Sequence, residues 1–180
     1  MKNNECVFTD SFGNVLFNIA SGDKMVIQYP NNKDQILVCE SVDNDRVKIG
    51  RTTWQADRFA KDAEQRGIVY YPENPRPSDI LDTYHIYQIP ADGKADYLFH
   101  TFNIAKGKIK ISDYKLVYSC VLSPSTDLEK LFIIHNREDR PLSSSIRSMS
   151  ISDILVTRRR GVVESYYVDS IGFKCIDSFA

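Results

Sequence analysis

The stretch Pro72-Glu73-Asn74-Pro75-Arg76-Pro77-Ser78-Asp79 carries three prolines in eight residues. Proline lacks an amide proton and fixes its own φ, which bars this stretch from a helix interior and from a central strand. It reads as a semi-rigid linker and divides the chain in two. The expected organisation is a β-rich accessory domain over 1–71, a linker over 72–82 and a second domain over 83–180. Charge does not change character across the linker. The whole chain sets 23 Lys and Arg against 24 Asp and Glu, a net charge of -1. No global basic field therefore draws it to nucleic acid or anionic lipid, and any such contact must be local. With 180 residues, 42% of them hydrophobic, folding can bury roughly 70% of the unfolded surface without a metal or disulfide staple.

Before the linker, short apolar runs alternate with turn chemistry. Strands are expected at Cys6–Asp10, Val15–Ile19, Lys24–Tyr29, Gln35–Val42, Val47–Ile49 and Arg51–Trp54. They are separated by Gly-, Asn- and Asp-rich turns, the pattern of a small curled sheet or partial barrel. A helix follows near Gln55–Arg66, with Ala56, Phe59, Ala60 and Ala63 on one face and Gly67 as its stop. Ile68–Tyr71 reads as one closing strand. After the linker, strands are expected at Tyr84–Ile89 and Lys115–Leu122, with a helical turn at Asn103–Lys106. Thr126-Asp127-Leu128-Glu129 matches a capping box with Thr126 as the cap. Ile151–Thr157 and Val162–Asp169 form a hairpin around Arg158-Arg159-Arg160-Gly161, its register open because a one-residue change flips both faces. Phe173–Ile176 is a short last strand. The fold class is α+β: a curled antiparallel sheet with one helix, then an antiparallel sheet with one or two helices.

No stretch approaches the roughly 20 apolar residues that span a bilayer, and the first residues are too acidic for a signal peptide. Cys6, Cys39, Cys120 and Cys175 are too far apart for a zinc knuckle or redox pair, and Cys39 and Cys120 lie in strand-like runs as buried thiols. A cytoplasmic protein with no metal and no cofactor is expected; its eight glycines form no phosphate-cradling loop.

Candidate chemistry is sparse. Asp153 and Asp169, on the two arms of the hairpin with Glu164 and Asp177 nearby, could hold Mg²⁺ against a phosphate substrate. The competing reading makes both of them turn residues. His135, His85 and His100 titrate near neutrality and, with Lys106, Lys108 or Arg158, could cleave RNA without metal. His135 equally suits a helix C-terminus. Arg158, Arg159 and Arg160 at the hairpin tip, with Tyr166 and Tyr167 as stacking faces, form the candidate binding surface. Charged tips also serve only to blunt edge pairing. Trp54 and both tyrosines have core burial as their default.

Several segments carry a resemblance. Tyr84-His85-Ile86-Tyr87-Gln88-Ile89, Tyr114-Lys115-Leu116-Val117-Tyr118, Leu128-Glu129 and Arg140-Pro141 are among them. Ser148-Met149-Ser150-Ile151-Ser152-Asp153-Ile154 and Tyr166-Tyr167-Val168-Asp169-Ser170-Ile171-Gly172-Phe173 complete it. From about 83 to 179 the chain resembles the YodL-like domain family. More weakly, Gly13-Asn14-Val15-Leu16-Phe17, Ser21-Gly22-Asp23, Ile49-Gly50 and Phe59-Ala60 to Arg66-Gly67 resemble an accessory domain of large polyvalent proteins of mobile elements. That pattern departs at Trp54-Gln55-Ala56-Asp57, where a histidine and cysteine are common. The resemblance implies a mobile-element or phage cargo protein and transfers no catalytic residues. The expected role is a counter-defence inhibitor, anti-CRISPR-like, binding a host protein or ribonucleoprotein such as a Cas9-type nuclease with its guide RNA. The alternatives are a weak nuclease trimming RNA and a non-enzymatic adaptor for conjugation machinery.

Overall fold

The structure is a computed structural model that describes residues 5–30, 33–75, 81–177 and 179. Residues 76–79 of the Pro-rich stretch lie outside the described residues. Twelve strands and three α-helices are present among those described, in three antiparallel sheets. The architecture is thus α+β with sheet predominating.

The first sheet is a hairpin of β1 (Glu5–Thr9) and β2 (Val15–Ala20). Asp10 builds its turn, its carboxylate accepting from the amides of Phe12 and Asn14, both at 2.9 Å. The second sheet contains β3 (Lys24–Gln28), β4 (Gln35–Asp43), β5 (Arg46–Ile49), β6 (Thr52–Gln55) and β7 (Val69–Pro72), in the order β6-β5-β4-β3-β7. Pro72, expected in the linker, instead ends a strand, opposite Met25. It is tolerated there because β7 is an edge strand, where a missing donor breaks no ladder bond. Helix α1 (Ala56–Arg66) crosses over these sheets. Phe8, Phe17, Phe59 and Tyr70 interlock in the core between them, Phe59 and Tyr70 edge-to-face at 4.8 Å.

The third sheet contains β8 (Thr83–Gln88), β9 (Lys115–Val121), β10 (Ile154–Arg159), β11 (Val162–Val168) and β12 (Phe173–Ile176), in the order β12-β11-β10-β8-β9. Alternation divides its side chains between two cores. Tyr84, Ile86, Tyr118, Leu155 and Val168 pack on one face with α3 (Leu128–Ile134). Ile154, Val156 and Tyr167 pack on the other beneath α2 (Phe102–Ala105) and Phe179. The α3 cap is Asp127 rather than Thr126: its carboxylate accepts from Lys130 N at 2.8 Å, while the Thr126 hydroxyl is buried without a partner. A charged acceptor at the cap position outcompetes the neutral hydroxyl one residue earlier.

A tight seam joins α1 to the third sheet. Gly67 ends α1 in the left-handed conformation, φ 61°, and a Cβ there would lie 3.0 Å from the Tyr118 ring. Only glycine meets both demands. The Tyr118 hydroxyl donates to the Glu64 carbonyl, which also accepts from Gly67 N, and the Leu142 amide donates to Gln65 O, so residues of the C-terminal half bond the last carbonyls of α1. No helix among the described residues is long and apolar enough to cross a membrane.

Candidate functional site

Two turns and one strand residue of the C-terminal half converge on the segment Tyr97–Ala105. The first is the Ser148–Asp153 turn. Asp153 is fully buried, and its Oδ2 accepts from Gln88 Nε2, Arg147 Nη1 and the Ser150 amide, each at 2.9 Å. Arg147 Nη2 bonds the other oxygen, making the pair bidentate. Burial pushes the Asp153 carboxyl up to about 6, with Arg147, the Ser150 amide and Gln88 holding it from going higher. Arg147 is itself only partly covered, and its guanidinium sits 5.2 Å from the centre of the Phe99 ring, within cation–π range.

Ser152, just before Asp153, has φ 80° and no exposed surface. Its Oγ accepts from the Phe99 amide at 3.0 Å and its carbonyl from the Tyr114 hydroxyl at 3.0 Å. Phe99 is also left-handed, φ 61°, and 56% exposed. Two non-glycine residues at positive φ, joined by one hydrogen bond, hold strain on the order of 1–3 kcal/mol each that the surrounding bonds must offset. The second turn, between β11 and β12, places Asp169, whose Oδ1 accepts from Ser170 N at 2.8 Å and from Phe102 N at 3.1 Å at the start of α2. Burial opposes ionisation of Asp169, but these amides with nearby Lys174 more than offset it and hold the carboxyl below its usual range. The third contact is Tyr167, whose hydroxyl donates to His100 O at 2.7 Å.

Three large apolar side chains are exposed on or beside these segments. Phe99 is joined by Ile104 at 49% and Ile171 at 87% exposure, two residues beyond Phe102 and Asp169 respectively. The bond between Phe102 and Asp169 brings both isoleucines to the same end of the sheet. Lys106, Lys108 and Lys110 follow on the next loop, Lys108 paired with Asp96 at 2.9 Å.

Asp153 and Asp169 are thus neighbours through the backbone, Val168 N donating to Asp153 O at 2.9 Å. Their carboxylates nevertheless serve different turns. Among the described residues no group of three or more His, Cys, Asp or Glu is placed to hold a metal ion. Glu164 and Asp177 are exposed on β11 and just past β12.

The three histidines have separate surroundings. His135 is buried between Tyr84 and Tyr118, its Nε2 at 3.1 Å from the Tyr84 hydroxyl; burial, with Arg140 nearby, lowers its pKa to about 4. His85 projects from the opposite face of β8, its Nδ1 at 2.8 Å from Ser119 Oγ, with its pKa lowered by burial and then by Arg158. His100 is exposed.

Arg158 and Arg159 belong to β10, and the turn is Arg160-Gly161, both at positive φ (49° and 82°), as a two-residue hairpin turn requires. Arg159 donates to Thr126 O and the Arg160 backbone amide to Asp82 at 2.7 Å, while the Arg158 and Arg160 side chains stay exposed. Tyr167 is fully buried and offers no stacking face, while Tyr166 is half-buried on the other side of the sheet. Adjacent residues on a strand cannot share a surface. The sequence reading missed Arg147, Phe99 and Gln88. An arginine six residues before a buried aspartate was the available signal.

A family model describing a YodL-like domain matches residues 83–179. No curated protein and no solved structure matches the chain. The matched span begins with β8 and takes in both turns and Tyr167, which together hold the segment Tyr97–Ala105. Covering more than half of the sequence, it establishes that the chain belongs to the YodL-like domain family.

Proposed function

We propose that this chain is an accessory binding protein of a mobile genetic element or phage, a counter-defence inhibitor that docks on a host protein or ribonucleoprotein in the cytoplasm. The concrete partner is a Cas9-type nuclease with its guide RNA. The observation carrying this reading is Phe99: an exposed aromatic, left-handed and strained, pinned by Ser152 and stacked under Arg147. Backbone strain maintained at a surface aromatic is the mark of a preorganised contact, and aromatic and Arg side chains are the commonest interface anchors. Ile104 and Ile171 add exposed apolar surface on the neighbouring segments, and the lysines of the next loop suit a partner carrying phosphates or carboxylates. Occupying a charged channel is enough to exclude guide or target.

The test is capture of purified nuclease–guide complexes on the immobilised chain, followed by a DNA-cleavage assay. The reading expects a complex, protection from cleavage, and loss of both in Phe99→Ser. A chain that neither captures nor protects at micromolar excess refutes the inhibitor reading. Cleavage of labelled RNA that persists in chelator and disappears in His85→Ala would replace it with the nuclease reading, which the closeness of His85 to Ser119 and Arg158 supports.

A further inference from the structure

A second surface lies in the N-terminal half, around Trp54. Two depressions, about 740 and 250 Å³, adjoin one another and share Trp54 and Asp62 in their walls. The charged residues of the larger are Arg46, Arg58 and Asp62, and those of the smaller are Arg51, Asp62 and Arg66. Four arginines thus face one aspartate in a chain whose net charge is -1. Asp43, Asp45 and Asp57 are close in sequence yet line neither depression.

The fold produces this arrangement directly. Arg58, Asp62 and Arg66 recur at four-residue spacing and form one stripe on α1, about 12 Å from first to last at 1.5 Å per residue. Across from them, Arg46 opens β5 and Arg51 lies in the turn between β5 and β6, so the two occupy opposite ends of that hairpin. Trp54 lines both depressions and stands opposite Val47 in the strand register. Its ring packs edge-to-face on Phe59, 5.3 Å between centroids, which fixes its plane while leaving it half-buried. Arg66 is paired with Asp62 at 3.2 Å. Among the described residues, Arg46, Arg51 and Arg58 make no ion pair.

We propose that this groove binds a single-stranded nucleic acid, its phosphates along the two arginine banks and a base stacked on Trp54. An anionic polymer is called for by the excess of arginine. Planar bases are called for by the aromatic floor, since base-on-aromatic stacking with flanking arginines is the usual grip on single strands. The length of the helical bank matches about two successive phosphates of an extended strand. The groove lies in the other half of the chain from Phe99 and does not depend on the inhibitor reading.

Trp54 is the single tryptophan of the chain, so its fluorescence reports on this site alone. The full chain is titrated with a short oligouridylate and, in parallel, an oligothymidylate, following indole quenching and the anisotropy of a labelled copy. Saturable quenching is expected, weakening with salt. The double variant Arg51→Gln, Arg58→Gln should flatten the log–log salt slope by about 1.4, at ~0.7 for each phosphate no longer neutralised. Trp54→Leu should weaken anisotropy-detected binding by roughly 10-fold or more. Because Trp54 also packs on Phe59, the arginine variant, which alters exposed side chains only, decides the matter if the tryptophan variant fails to fold. Preference between the two oligomers distinguishes RNA from DNA as the source. No quenching up to roughly 100 µM, the weak end of non-specific binding, overturns the proposal. So does binding unchanged in the arginine variant, or equal quenching by polyglutamate, which would assign the groove to an acidic protein segment. Phe99→Ser should leave the quenching intact.

Discussion

Replacing Arg147 by methionine is expected to make stability depend on pH in a way fixed by Asp153. The methionine still covers Phe99 but supplies no charge, so a fully buried carboxyl loses the cation paired with it. In the native protein burial has already raised Asp153 to about 6, against an ordinary 3.8. An acid with a raised folded pKa favours the folded state below its unfolded pKa and loses that advantage as pH climbs to the folded value. Native protein and variant therefore share a falling limb between pH 3.8 and 6, of about 1.36 kcal/mol per pH unit. Above pH 6 the native limb flattens, because Asp153 is ionised and paired. Without Arg147 the folded carboxyl keeps its proton and the limb continues. At pH 7.5 the variant should have lost a further ~2 kcal/mol beyond whatever it loses at pH 5. Urea unfolding of both proteins at pH 5 and 7.5, compared at equal m-values, measures the difference. A penalty that is the same at both pH values would mean that Asp153 is solvated or finds another cation, and the account of this turn would fail.

Three further outcomes follow from the same geometry. His135, depressed to about 4, adds stability above pH 6.5 that is lost as pH falls toward 4; His135→Gln should flatten this acid limb by up to about 3 kcal/mol in urea midpoints, and an unchanged limb would refute its burial. Gly67→Ala combines a left-handed alanine, costing about 1–2 kcal/mol, with the Cβ clash on Tyr118, and should lower Tm by several degrees; calorimetry showing no drop would mean that the seam opens. Asp169→Ala removes the acceptor for Phe102 N and should speed hydrogen exchange at that amide selectively, leaving β10 amides protected; uniform acceleration would point to global destabilisation instead.

The strands were legible wherever turn chemistry bounded them. The Asp10–Asn14 turn is one case, and the Gln35 to Asp43 run of β4 is another, since short-range residues fix both. The register of the last hairpin was not legible, because it depends on Arg160 accepting a left-handed φ, which an arginine does not announce. Pro72 misled for the opposite reason: its ban from strands holds only for central ones, and edge position is set by the sheet order. The reading of Asp153 and Asp169 as turn residues describes the bonds they make, yet what those turns hold was invisible. Phe99 takes its conformation from Ser152, 53 positions away, and no local preference of phenylalanine suggests it.

The seam at Gly67 bears on whether the matched span of this chain can stand apart from what precedes it. The matched span starts at Thr83, but Tyr118 within it finishes a helix that belongs to the preceding segment. Any new neighbour grafted upstream must therefore present a helix end with open carbonyls and a residue lacking a side chain. For this chain, exchange of the preceding segment is then limited by the shape of a single residue on the other side of the joint.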